Sequence, residues 1–209
     1  KRQASTKAYT AQVALQAILA KALGEKLGNQ DAKDWDLQHD LAIAAEGIQQ
    51  IVDGKEKLKE LADQYIVKSR NAFYIGRGID HAVALEGALK LKEVSYIQTE
   101  GFAAAELKHG TISLIEDGTP VIALINDPVT ADLTRGNIQE VASRGASVIT
   151  IVGKEFANSD DTIVLPEINY YMSALLTVVP TQLLAYYASK DKGLDVDKPR
   201  NLAKSVTVE

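Results

Sequence analysis

The chain has 209 residues, of which 46% are apolar and 24% charged, a balance that supports a buried core and argues against a disordered tail. A net charge of -5 and an isoelectric point near 5.3, with no cluster of Lys and Arg, argue against nucleic acid as a partner. Cysteine is absent, which removes disulfides, thiolate metal sites and a cysteine nucleophile from this chain and fits cytoplasmic residence. No apolar run reaches the roughly 18 to 20 residues of a membrane helix, and the N-terminus lacks a signal-peptide core, so no membrane partner is expected.

The run from Ser5 to Leu27 opens on Ser and Thr, carries apolar residues at helical spacing and ends before Gly28, which predicts a long helix. A helical pattern so near the first residue predicts that the chain is a piece of something longer. The polar stretch Gly28 to Gln38 predicts a linker, and residues 39–66 predict two helices parted near Gly54. From there β-branched runs alternate with helical ones. NAFYIGRG, TPVIALIND, ASVITIVG and DTIVLP predict strands, and helices are expected over about 80–97, 102–108, 129–144 and 170–190, with Pro180 kinking the last or marking a turn. This alternation predicts an α/β fold, a three-layer parallel sheet with helices on both faces. Three of the strands end in Gly or Asp, where the ligand loops of open α/β sheets lie.

Several residues could carry chemistry. Gly76, Arg77 and Gly78 follow a strand and precede a helix, and serve either as a plain turn or as a ligand loop; without a third glycine they do not make a dinucleotide site. Glu86, Lys90 and Glu93 form one polar stripe on the next helix. One reading is a solvated pair worth about 0.2 to 0.5 kcal/mol; the other is a cleft carboxylate beside a lysine, suited to removing a proton next to a carbonyl. His109 reads either as a general acid/base or as a cap on the preceding carbonyls. His39 and His81 read as surface or packing residues, and the histidine spacing suits no metal. Lys204 is an ordinary tail lysine unless NLAKSVTVE docks, in which case burial lowers its pKa and leaves it nucleophilic toward a ketone. At the other end, ASTKAYT reads as a plain N-cap.

Taken together, GRGIDHAVALEGALKLKEVSYIQTEGFAAAELKHG and the closing DVDKPRNLAKSVTVE resemble the isomerase region of the glutamine:fructose-6-phosphate aminotransferase family. The resemblance implies that residues 1–28 are the last helix of a first sugar-isomerase (SIS) module, 29–37 a linker, 38–192 a second SIS module and 193–209 a catalytic tail. It implies Glu93 as the base that moves a proton between the first two sugar carbons, with Lys90 assisting. Lys204 is implied as the Schiff-base lysine and His109 as the ring-opening group, donated to the neighbouring subunit of a homodimer. Ser5 and Ala203 match positions that touch the sugar, Glu86 is left to orient Lys90, and no cofactor or metal is implied. The family's glutaminase domain, with its N-terminal cysteine, and the Ser-rich phosphate loop of the first module are absent from this sequence. The alternatives within the fold are a fructosamine-phosphate deglycase and a noncatalytic sugar-phosphate-binding SIS module.

Overall fold

The computed structural model describes residues 5–201. The long helix expected at the start is α1 (Thr6–Lys26). The polar stretch after it is more ordered than a linker needs to be. It holds a short helix, α2 (Gln30–Asp34), whose N-cap Asn29 accepts from the Ala32 amide at 2.8 Å. Asp36 likewise accepts from the His39 amide at 3.0 Å and starts α3 (Leu37–Asp53). Asn and Asp there are caps, which compositional reading does not distinguish from loop. Gly54 separates α3 from α4 (Lys55–Leu61), which continues into a π-helical turn at Ala62–Ile66.

The sheet has five parallel strands in the order β2-β1-β3-β4-β5, formed by β1 (Asn71–Gly76), β2 (Gln98–Ala103), β3 (Pro120–Ile125), β4 (Ser147–Gly153) and β5 (Ile163–Leu165). Four of them were expected; β2, with the sequence QTEGFA, was not. It pairs with β1 alone, at the sheet edge, and so needs no continuous apolar run. The helix expected at 102–108 is instead the end of β2 followed by a 3₁₀ segment, Ala104–His109. Crossovers run through α5 (Ile79–Ser95) and α6 (Ala131–Ala142), and α7 (Ser173–Asp191) closes the fold.

Alternation along the strands builds the two cores. Ala72, Tyr74, Ile122, Leu124, Ile149 and Ile151 face α4, α5 and α7, while Phe73, Ile75, Val121 and Ala123 face α6 and the 3₁₀ segments. Central strands buried on both faces require helices on both sides, hence three layers. α7 is buried on nearly every side and runs unbroken through Pro180. Hydroxyls of Thr177 and Thr181 bond back to the carbonyls of Ser173 and Val178 around it.

Candidate active site

α5 packs tightly against its neighbours because of one residue. A Cβ at Gly87 would lie 2.9 Å from a ring carbon of Tyr74 and 3.0 Å from Thr181 Cβ, so only glycine admits β1 and α7 this close. Ser189 Oγ donates to the Val94 carbonyl at 2.7 Å and fixes the register of α7 on α5. This contact turns the polar stripe of α5 inward.

Lys90 is only 5% exposed. Its Nζ lies 2.6 Å from Glu93 Oε2 and 3.7 Å from Glu86 Oε1, with both carboxylates largely covered. The solvated-face reading of the stripe is therefore set aside, since a lysine buried to this degree is retained with paired charges. Burial raises the pKa of Glu86, an effect that Lys90 opposes and Glu93 reinforces. Burial, with the Glu86 charge beside it, also raises the Tyr9 phenol on α1. Tyr9 and Val13 of α1 pack against the same core. Beside the stripe opens a cleft of about 360 Å³ whose walls include Thr6 of α1, Lys90 and Val94 of α5, Gln182 and Tyr186 of α7, and Asp197. Lys90 lines this half-open cleft and Glu93 does not, so the carboxylate meets the cleft through its hydrogen bond to the Lys90 ammonium, an acid and base pair of the kind proton transfer uses.

The segment after α7 returns to the end of α5. The Arg200 amide donates to the Tyr96 hydroxyl at 2.8 Å, and its guanidinium lies 4.1 Å from the centroid of that ring. Tyr96, the C-cap of α5, takes a left-handed conformation with φ 61°. Lys204 and Ala203 lie outside the described residues. Ser5 stands at the N-cap position of α1, where the sequence places it, and is exposed, with no side-chain bond to the amides of the first turn.

A second polar cluster occupies the crevice at the carboxyl ends of β1 and β3, the switch point of this strand order. Asp80 accepts from the Asn126 amide at 2.6 Å and from its side-chain nitrogen at 2.9 Å. Burial pushes the Asp80 carboxyl up to about 6, against these hydrogen bonds and with help from Asp127. Tyr170 donates to Asp127 at 3.2 Å. Gly78, at φ 55°, fits because any Cβ there would overlap the Asp127 carboxylate. Arg77 turns away and donates to Asn137 at 2.9 Å. The glycine turn thus faces acids, which repel an anionic ligand. α5 runs away from this crevice, so at 1.5 Å per residue Glu93 lies about 21 Å along the helix from Ile79.

His109 ends the 3₁₀ segment after β2, is exposed, and does not line the Lys90 cleft of its own chain. His39 is exposed and His81 half-buried. Sequence reasoning missed Thr6, Gln182 and the buried Asp80. For Gln182 a signal exists, since it is the lone amide in the run LLTVVPTQLLAYY.

The family model for the SIS domain matches residues 65–189, more than half of the chain. The chain belongs to the SIS domain family. Within it, the chain is 60% identical over 206 residues, 99% of its length, to the glutamine--fructose-6-phosphate aminotransferase [isomerizing] of Lactiplantibacillus plantarum. The chain spans about a third, 34%, of the length of that curated relative. It superposes on the C-terminal domain of glucosamine-fructose-6-phosphate aminotransferase from Francisella tularensis with a TM-score of 0.84 at 32% identity, over 95% of this chain and 57% of that one. A glucosamine-6-phosphate deaminase from Thermotoga maritima, at 23% identity and a TM-score of 0.66 over 87% of this chain and 53% of that one, shares the fold.

Proposed function

We propose that this SIS domain is the isomerase part of an enzyme that converts fructose 6-phosphate and ammonia taken from glutamine into glucosamine 6-phosphate. The observation that carries the reading is the buried Lys90 held 2.6 Å from Glu93 at a cleft, in a chain 60% identical to aminotransferases of that name. In the reaction the Lys204 amine condenses with the C2 ketone and releases water, and ammonia then displaces the lysine to leave an imine. Glu93 takes a proton from C1 and returns it to C2, while the O1 proton passes to the imine nitrogen, giving an aldehyde at C1 and an amine at C2. Lys90 holds the carboxylate in place and stabilises its charge; Glu86 holds Lys90.

The anchoring of Arg200 on Tyr96, three positions beyond Glu93, supports the role given to Lys204. Four residues span at most about 14 Å, so the tail lysine has the reach to enter the Lys90 cleft. His109, exposed and outside its own chain's cleft, suits donation to the site of a second copy, where it would open the sugar ring. Ser5, next to the cleft residue Thr6, and Ala203, next to Lys204, complete the sugar contacts.

Glu93→Gln keeps the shape and removes the base. In a full-length protein carrying this chain, the substitution is expected to leave circular dichroism unchanged and to lower kcat for glucosamine 6-phosphate formation by at least about a hundredfold. Turnover within threefold of wild type would remove Glu93 from the mechanism.

A further inference from the structure

α7 is the most buried helix of the protein, and its polar side chains mostly find partners within the fold. Thr177 and Thr181 bond back to the carbonyls of Ser173 and Val178 at 2.8 and 2.7 Å, and Ser189 reaches the Val94 carbonyl at 2.7 Å. Gln182 does not follow them. Its Nε2 is buried and has no hydrogen-bond partner among the described residues. Tyr74 Oη and Ser173 Oγ share this condition, but neither lines the cleft beside Lys90. Gln182 lines that cleft, and it also lines the adjoining one formed with Thr6, Lys7 and Thr10 of α1. It stands between the two, one turn before Tyr186 on the same face of the helix.

A buried donor without a partner costs free energy that packing alone gives no reason to keep. The cost is explained if a ligand oxygen completes the bond, because the group is then already desolvated before binding. The oxygen is a neutral one. A phosphate would call for a cation, and Lys90, the one cation among the described residues that line this cleft, is already held by two carboxylates, while Lys7 lines only the adjoining one.

We infer that the side-chain amide of Gln182 is a substrate-binding donor that hydrogen-bonds a hydroxyl or carbonyl oxygen of the sugar beside Lys90. The inference rests on the isomerase reading above and adds a specificity residue to it. A site built to hydrogen-bond a substrate oxygen discriminates through the cost of leaving its own polar group unmet.

The test uses Gln182→Met and Gln182→Glu in a full-length protein carrying this chain. Kinetics on fructose 6-phosphate are measured alongside ligand-free thermal unfolding. Gln182→Met removes the donor at nearly constant volume; KM is expected to rise about tenfold with kcat within threefold. Tm should stay the same or rise, because a structural hydrogen bond is not being lost. Gln182→Glu keeps the shape but not the donor at that position, and should raise KM at least as much. Unchanged KM in both variants, or a fall in Tm with a proportional fall in kcat and steady KM, would overturn the assignment and leave the isomerase reading standing. Absence of turnover in the wild type would remove that reading and this inference with it.

Discussion

Two polar clusters are buried in this protein, and they handle charge in opposite ways. At the carboxyl ends of β1 and β3, Asp80 and Asp127 are held by Asn126 and Tyr170, and the nearby Arg77 is committed elsewhere. Between α1, α5 and α7, a buried lysine sits between two carboxylates at the edge of a cleft. The first cluster occupies the position where open α/β sheets commonly bind ligands. The second is where we propose the chemistry, because it holds a carboxylate against an ammonium beside a cleft. In this SIS domain the general rule of the architecture and the particular side chains point to different places, and the proposed function follows the side chains.

The sharpest way to separate the two clusters is to remove the ammonium from the second. Lys90→Met leaves Glu86 and Glu93 facing each other without a cation, and at pH 7 should cost about 3 kcal/mol in urea unfolding. The loss should shrink toward pH 5, because burial raises the Glu86 pKa and a carboxylate whose folded pKa is raised regains stability as the pH falls. A loss below about 1 kcal/mol at pH 7 would show that the stripe is effectively solvated after all.

The acid cluster gives a slightly smaller effect with a pH dependence of its own. With its folded pKa raised from 3.8 to about 6, Asp80 favours folding fully below pH 3.8, and that contribution is lost as the pH rises through 6. The shift corresponds to roughly 3 kcal/mol at most. Unfolding free energies from pH 3.5 to 7 should therefore fall across this window in the wild type and stay flatter in Asp80→Asn. The variant should also be less stable at low pH, since its amide opposes the Asn126 donors. Parallel curves for the two proteins would break the contrast between the clusters.

Much of the sheet was legible because β1, β3 and β4 are central strands and carry largely apolar runs, AFYI, PVIALI and VITIV. β2 was not, since an edge strand with one pairing partner tolerates QTEGFA. The stripe of α5 was legible as a stripe, but its direction was not. The same three residues suit a solvated face or a cleft, and what turns them inward is Gly87 and the approach of α7 from nearly a hundred residues away. Thr6 and Gln182 were illegible as a pair for the same reason, as only packing brings α1 and α7 together.

Tyr96 carries a consequence of its own. α1 and α7 are each followed by a glycine in the left-handed conformation, Gly28 and Gly193, whereas α5 places an aromatic ring there. That position is strained for a side chain, so the ring is kept for what it moors: the returning strand of chain at Arg200. Swapping Tyr96 for glycine would ease the backbone and cut the mooring in one stroke, so melting temperature and turnover should move in opposite directions. Under the proposed function, a substitution that makes the fold more comfortable would make it a poorer catalyst.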